Sequence, residues 1–168
     1  KDKIMDHEVI KVKGIRILGP FEVDQFLAAI PKDHHKTMFE VLLWSGIRYV
    51  ELQRLHQNPE WYWPNRRNIH LPEQAQKKAK RRQLERDIHP IPPQLESIMR
   101  YFFKGPKPPS RQAWDQNMGR WARLAGMNPE GFSSKTTRKT IESWMVTAGI
   151  PVTTICLRQG HDSVTSMR

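Results

Sequence analysis

Apolar residues recur at helical spacing along most of this chain, in stretches that glycines and prolines separate. Between Val23 and Ile30 the apolar side chains occupy positions i, i+3, i+4 and i+7 of an amphipathic helix, which Pro31 ends. Residues 36–44 are apolar on most sides, which is typical of a buried helix. The same criteria predict further helices within residues 47–55, 95–102, 114–125, 141–148 and 151–160.

Residues 58–92 interrupt this helical pattern. Apolar residues alternate, or nearly alternate, with polar ones in two short stretches between turn-forming residues: Ile69 and Leu71, and later Ile88 and Ile91. This arrangement predicts a small, irregular antiparallel hairpin. The expected fold class is therefore mainly α with a small antiparallel β-sheet.

The first 20 residues mix charged side chains with two glycines, which is the pattern of an arm or linker. We expect no contribution to the core there beyond Ile15 and Leu18. The chain has 168 residues, enough for one domain with an ordinary core. We place that domain at residues 21–168.

The charge of the chain points to a polyanionic partner. Lys and Arg number 28 against 17 Asp and Glu, which gives a net charge of +11. Between Asn65 and Arg86 there are eight Lys or Arg and only two Glu, so more than half of the excess lies in this one segment. Such a charge excess commonly accompanies nucleic acid binding and less often binding to an acidic membrane surface.

Several classes of site find no support in the sequence. Cys156 is the single cysteine, which excludes an internal disulfide and favours a reducing intracellular location. No stretch is apolar enough for a membrane span or a signal peptide, so no membrane partner is expected. No glycine-rich phosphate loop, zinc spacing or carboxylate cluster is present, and we expect neither a metal nor a cofactor.

Basic residues at turns and helix starts are the candidates for chemistry. Arg48 follows a buried apolar run through a Ser-Gly turn, and Glu51 lies three residues later, where it can orient the guanidinium on a helix. A plain surface ion pair would give the same spacing. Lys135 and Arg138 open another predicted helix, where two cations oppose the helix dipole unless an anion binds there. His161 follows the helix-ending Gly160, which is also compatible with an ordinary loop residue.

Three segments together resemble the tyrosine recombinases, the phage-integrase family. The segment from Trp44 to Leu52, WSGIRYVEL, looks like the family's first arginine box. Lys135-Thr-Thr-Arg138 lies where the family has His-x-x-Arg, and RQGHDSVTS from Arg158 looks like its Leu-Gly-His box. The basic hairpin lies between the first two boxes, where the family keeps a catalytic lysine. Order and spacing match from about Phe21 to the end of the chain, which implies the family's catalytic-domain fold.

The resemblance implies DNA strand exchange through a 3′-phosphotyrosine, without metal or ATP. Arg48 and Arg138 would stabilise the charge on phosphorus, while Lys135 and His161 would bind non-bridging oxygens. A hairpin lysine, Lys78 before Lys80, would protonate the leaving 5′-oxygen. Further basic residues would contact the DNA backbone: Arg66, Arg67, Lys77, Arg81, Arg82, Lys139 and Arg158.

The sequence departs from the family pattern in two places. Lys135 replaces the usual histidine, a substitution associated with archaeal virus and plasmid integrases. The family's nucleophilic tyrosine lies roughly nine residues after the last histidine, whereas seven residues follow His161 here and all three tyrosines precede it. We therefore expect that this chain stops short of the nucleophile and does not cleave DNA by itself. The implied partners are a double-stranded DNA attachment site and three further copies in a homo-tetramer.

Other functions remain open at this point. A type IB topoisomerase shares the same arginine, lysine, histidine and tyrosine chemistry but relaxes supercoils without exchanging partners. A non-catalytic basic module would use the same cations only to neutralise the phosphates of DNA or RNA. A degraded recombinase would also fit the sequence.

Overall fold

Seven α-helices and two small antiparallel sheets make up the computed structural model, which describes residues 9–76 and 85–161. The predicted fold class is confirmed, and all seven helices occur where the sequence pattern predicts them, within a few residues at each end. The helices are α1 (Pro20–Ala29), α2 (Asp33–Ser45), α3 (Tyr49–Gln57), α4 (Pro93–Lys104), α5 (Arg111–Leu124), α6 (Thr136–Thr147) and α7 (Val152–Gln159). The strands are β1 (Ile10–Val12), β2 (Ile15–Ile17), β3 (Tyr62–Trp63), β4 (Asn68–Leu71) and β5 (Arg86–Ile88).

The first sheet is a hairpin of β1 and β2, which was not predicted from the sequence. Its turn consists of Lys13 and Gly14, both with positive φ, as a two-residue hairpin turn requires. The adjoining Leu18 is buried, and its backbone N–H donates to Thr140 Oγ1 at 3.1 Å. Trp144 Nε1 donates to the Leu18 carbonyl at 2.9 Å. The hairpin is therefore fixed to α6, and the described part of the segment predicted as an arm, from residue 9 on, packs on the domain.

The second sheet has the strand order β3-β4-β5. Ile69 pairs with Tyr62 on one side and with Ile88 on the other, so the predicted hairpin exists and gains a third strand. Ile91 is buried but lies beyond the end of β5. Residues 77–84, in the connection between β4 and β5, lie outside the described part of the chain.

Helix α2 lies at the centre of the packing, against both α4 and α6. Its residues Phe39 and Leu42 are fully buried, as the run of apolar residues predicts. Phe26 of α1 contacts Phe39 at a ring separation of 5.1 Å and extends the core toward α5, whose Trp121 lies 6.4 Å from the Phe26 ring. Because α2 is enclosed on most sides, its last turn is held rigidly, and the residues just after it begin the candidate site.

Candidate functional site

Two glycine turns bring the ends of α2 and α7 together. Gly46 follows α2 with a φ of 71° and Gly160 follows α7 with a φ of 75°, both in the left-handed region that favours glycine. A Cβ atom on Gly46 would lie 2.5 Å from Gln159 Oε1, so no side chain fits there without displacing Gln159. Gln159 Nε2 donates to the Gly46 carbonyl at 3.0 Å. This contact locks the two turns to each other.

Arg138 crosses between the two turns. Its Nη1 donates to the Gly46 carbonyl at 2.8 Å, and its Nη2 donates to the Gln159 carbonyl. The side chain is buried, and desolvation together with the nearby Arg48 lowers the pKa of Arg138 to about 9. The guanidinium is thus held in one orientation with little water around it.

His161 lies beside Arg138 directly after the second turn. Its backbone N–H donates to the Cys156 carbonyl at 3.0 Å, which closes the end of α7. Its Nε2 is 2.8 Å from Glu142 Oε2 and 3.5 Å from Arg138 Nη2. Burial lowers the pKa of His161 below its ordinary value, and the Glu142 carboxylate opposes that effect only in part.

Arg48 completes a group with Arg138 and His161 that we call the Arg–His cluster. Arg48 precedes α3, and its Nη2 donates to the Gly160 carbonyl at 3.5 Å. Its backbone N–H donates to Glu51 Oε1 at 2.7 Å, and its Nη1 lies 3.7 Å from Glu51 Oε2. The structure therefore brings the predicted i, i+3 pair together, with Glu51 fully buried rather than on the surface.

Arg86 is a member of the site that the sequence analysis missed. It donates to both carboxylate oxygens of Glu51, at 2.6 and 2.8 Å, and both side chains are buried. Its Nε donates to the Arg158 carbonyl at 2.9 Å. Although burial by itself raises the pKa of Glu51, Arg86 holds it below its ordinary value. The one sequence feature that indicates a buried Arg86 is the alternation of a strand, because Arg86 lies two residues before the buried Ile88 and therefore on the same strand face.

Glu142 is the second residue that was missed. It lies in α6 one turn after Arg138, with its Oε2 3.3 Å from Arg138 Nε. Its carboxylate also accepts a hydrogen bond from Gln159 Nε2 at 3.2 Å. Burial raises its pKa, but the bond to His161 and the charge of Arg138 outweigh burial and lower the pKa to about 2. The i, i+4 spacing from Arg138 was the one sequence signal for this contact.

The other predicted site residues lie in different surroundings. Lys135 is exposed at the N-cap of α6, and Lys139 is half-buried with its Nζ 3.7 Å from Glu142 Oε1. Arg66 and Arg67 are exposed, and Arg67 Nε donates to a glutamate of α4. Arg158 is half-buried, and its guanidinium donates to the Trp44 and Ser45 carbonyls at 3.0 and 3.1 Å. Five predicted residues lie outside the described part of the chain: Lys77, Lys78, Lys80, Arg81 and Arg82.

The Arg–His cluster is suited to binding a tetrahedral oxyanion. Two guanidinium groups from separate segments of the chain provide directed N–H donors, with the imidazole of a third segment beside them, and planar guanidinium groups match phosphate oxygens in pairs. Within residues 9–76 and 85–161, no group of three or more acidic, histidine or cysteine side chains is arranged to hold a metal ion. In the same ranges no helix has the length and apolar character needed to cross a membrane.

Comparison with known proteins identifies the fold. No protein-family model and no curated protein matches the sequence. Among solved structures, a complex of the Tn1549 transposon integrase with circular intermediate DNA matches 94% of this chain with a TM-score of 0.75 and 17% identity. A second such complex matches 99% of the chain with a TM-score of 0.76 and 16% identity.

A structure of the XerH site-specific recombinase bound to its difH substrate also matches, over 90% of this chain, with a TM-score of 0.64 and 13% identity. The chain spans 61% and 68% of the two integrase chains and 49% of the XerH chain. The chain therefore has the catalytic-domain fold of the tyrosine recombinases.

Proposed function

We propose that this chain belongs to the tyrosine recombinase family and forms the catalytic part of a site-specific DNA recombinase or integrase. One observation carries the proposal: Arg48, Arg138 and His161, from three separate boxes of the sequence, converge at the two locked glycine turns of this fold. The similar structures are integrases and a recombinase in complex with DNA, which supports DNA as the partner.

In the proposed reaction a tyrosine oxygen bonds to the phosphorus of a DNA phosphodiester and the bond from phosphorus to the 5′-oxygen breaks. The products are a 3′-phosphotyrosine and a free 5′-hydroxyl. Arg48 and Arg138 stabilise the extra negative charge on the five-coordinate phosphorus. Because Arg138 is already held by two backbone carbonyls, and Arg48 lies against Glu51 and the Gly160 carbonyl, little reorganisation is needed when the charge develops. His161 and Lys135 contribute further polar contacts, and Lys78, with Lys80 as the second choice, is the proposed general acid.

The proposal extends to the biological setting. Lys135, in place of the family's histidine, supports an integrase of the archaeal virus or plasmid type, and therefore a mobile genetic element. The proposed working form is a homo-tetramer on a double-stranded attachment site in the cytoplasm or nucleoid of the host. The exposed Arg66 and Arg67, and the basic residues 77–82, are proposed to contact the DNA backbone and to hold it in register.

The proposal does not use a tyrosine of this chain as nucleophile. Tyr49 is next to Arg48 in sequence, but its hydroxyl donates to the Pro109 carbonyl at 2.7 Å, and burial raises its pKa. Tyr62 and Tyr101 lie in β3 and α4, and no described contact joins either of them to the Arg–His cluster. The test of the proposal should therefore supply its own nucleophile.

A chromogenic DNA substrate isolates the role of the Arg–His cluster. A duplex selected from a random library by binding to this chain is given a 3′-phosphate esterified with p-nitrophenol, whose oxygen replaces the DNA 5′-oxygen. Hydrogen peroxide is the added nucleophile: its oxygen bonds to phosphorus and its proton passes to the solvent. The bond from phosphorus to the aryl oxygen breaks, p-nitrophenolate leaves with the electron pair, and a 3′-peroxyphosphate remains on the DNA. This leaving group needs no general acid, so the assay is independent of Lys78 and Lys80.

We expect the chain to accelerate p-nitrophenolate release. Arg138→Ala should lower the rate about 10²–10³-fold, as for loss of one directed donor to a developing oxyanion. Arg123→Ala, at an exposed position of α5, is the matched control and should react like the unmodified chain. DNA binding should be largely kept in both variants.

Two results would redirect the proposal. If DNA binds but the chain releases no p-nitrophenolate, and Arg138→Ala weakens binding only as much as Arg66→Ala, the chain is a non-catalytic binding module. If the chain together with its tyrosine nucleophile relaxes supercoiled circles but does not exchange strands between two labelled duplexes, it is a type IB topoisomerase.

A further inference from the structure

Glu142 connects more parts of the site than any other described carboxylate. It lies in α6 among the residues of the Arg–His cluster and is almost fully buried. Its Oε2 contacts His161 Nε2 at 2.8 Å, Gln159 Nε2 at 3.2 Å and Arg138 Nε at 3.3 Å. Its Oε1 lies 3.7 Å from Lys139 Nζ. The reaction proposed above has no direct use for an anion at this place, so another role must explain it.

The distances around His161 Nε2 determine where the imidazole proton resides. A carboxylate can only accept a hydrogen bond and a guanidinium can only donate one, so Nε2 cannot satisfy Glu142 and Arg138 at the same time. The contact to Glu142 is 2.8 Å, whereas the contact to Arg138 Nη2 is 3.5 Å, at the limit of hydrogen bonding. The shorter contact to the charged acceptor therefore places the proton on Nε2.

We propose that Glu142 is a positioning residue that holds His161 in the Nε2–H form and leaves Nδ1 as the nitrogen available to the reacting groups. The same carboxylate orients Arg138 through Nε and Gln159 through its amide, so one residue fixes three members of the site. The catalytic importance of this inference rests on the proposed function, whereas the Nε2–H form of His161 can be measured in the chain without DNA.

The charged groups around the imidazole are consistent with this assignment. Arg138 and Arg48 disfavour a second proton on His161, and Glu142 favours it. Burial has the largest influence, and the pKa of His161 lies below its ordinary value. Above neutral pH the ring is then neutral, and a neutral imidazole has a single N–H. The hydrogen bond to Glu142 keeps that N–H at Nε2.

The direct test is the tautomer of His161 by NMR. Long-range ¹H–¹⁵N spectra of the ¹⁵N-labelled chain at pH 7.5 distinguish Nε2–H from Nδ1–H imidazoles, and the signals lost in His161→Gln give the assignment. We expect a single Nε2–H form in the unmodified chain. Glu142→Gln keeps a carbonyl acceptor and should retain this form, whereas Glu142→Leu should give a mixture of tautomers. Glu130→Gln, at an exposed glutamate paired with Lys11, is the matched control and should not change the spectrum.

An Nδ1–H form in the unmodified chain, or an unchanged tautomer in a folded Glu142→Leu variant, would overturn the inference. If Glu142→Leu does not fold, the unmodified chain and Glu142→Gln still decide the question. The chromogenic assay adds a second readout, since loss of a residue that orients a reactive group typically costs about 10–100-fold in activity. Glu142→Leu should show that loss and Glu142→Gln should recover most of it. Failure of the unmodified chain in this assay counts against the proposed function, while the tautomer still tests the role of Glu142.

Discussion

Glu51 and Glu142 are two buried carboxylates beside the same group of arginines, and they differ in what they bind. Glu51 accepts two hydrogen bonds from Arg86 and one from the backbone of Arg48. Glu142 contacts His161 instead, together with side-chain nitrogens of α6 and α7. The partners of Glu51 have a fixed protonation state, whereas the main partner of Glu142 is a titratable imidazole whose pKa is lowered by burial.

This difference separates the framework of the site from its reactive groups. The pair of Glu51 and Arg86 ties β5 to α3, and through the Arg158 carbonyl also to α7, so it holds together segments that are distant in sequence. Glu142 sits between residues of two consecutive helices that already pack on each other. Changes at the Glu51 side should therefore act mainly on stability, whereas changes at the Glu142 side should also change the state of His161.

The largest effect is expected for Arg86→Ala. This variant leaves Glu51 buried and charged with one main partner removed, which typically costs about 3–5 kcal/mol in the free energy of unfolding. Urea denaturation followed by circular dichroism measures the change. A loss below about 1 kcal/mol would show that buried Glu51 does not need Arg86 as a partner. The structural role that distinguishes Glu51 from Glu142 would then be wrong.

The stability of the chain at acid pH tests the lowered pKa of Glu142. Its pKa falls from 4.5 in the unfolded chain to about 2 in the folded one, so its stabilising contribution is fully present above pH 4.5 and is lost as the pH falls through 2. This shift corresponds to about 3 kcal/mol.

Glu142→Gln should therefore lose less stability than the unmodified chain between pH 4.5 and pH 2, by about that amount. Urea denaturation at a series of pH values measures this, with the exposed Glu130→Gln as control. Parallel pH profiles for the unmodified chain and Glu142→Gln would contradict the low pKa of Glu142.

Gly46→Ala tests the glycine turn after α2, whose carbonyl accepts hydrogen bonds from Arg138 and Gln159. A positive φ costs a non-glycine residue about 1–2 kcal/mol, and the new Cβ atom would also displace the Gln159 amide. Gly126→Ala is a matched control, because Gly126 has a similar φ of 79° and no atom within 4 Å of the added Cβ. We expect both variants to lose stability in thermal denaturation, but only Gly46→Ala to shift the NMR signals of His161. Equal spectra would mean that the turn does not position the imidazole.

The smallest effect is expected for Arg67→Ala. Its ion pair with Glu96 is 3.0 Å long but half-exposed, and such pairs contribute about 0.2–1 kcal/mol. Urea denaturation alongside Arg86→Ala compares a surface pair with a buried pair in the same protein. A loss as large as that of Arg86→Ala would show that burial is not what distinguishes the two pairs.

The sequence predicts the helices well because helical periodicity is local and the breaks at glycine and proline are clear. The hairpin of β1 and β2 is missed although apolar and charged residues alternate on both sides of Lys13-Gly14, because each strand has only three residues and the charge of this segment is also typical of an arm. Arg86 is missed for another reason: it stands at the end of a run of basic residues that looks solvent-exposed, and only its pairing with Glu51, 35 positions earlier in the chain, explains its burial.

The candidate site is predictable only in part. The boxes around Arg48, Arg138 and His161 indicate residues of interest, but their convergence depends on how α2, α6 and α7 pack. Glu142 has a visible i, i+4 relation to Arg138, whereas its contact with His161 requires the turn at Gly160. Long-range contacts of this kind are set by tertiary packing rather than by local pattern.

The most direct test of the account is a crystal structure of this chain with a bound DNA duplex. We expect a backbone phosphate within about 2.7–3.1 Å of nitrogen atoms of both Arg48 and Arg138, with His161 beside it and its Nε2 still bonded to Glu142. A duplex bound only through exposed residues such as Arg66 and Arg67, with no phosphate at the Arg–His cluster, would contradict the central claim.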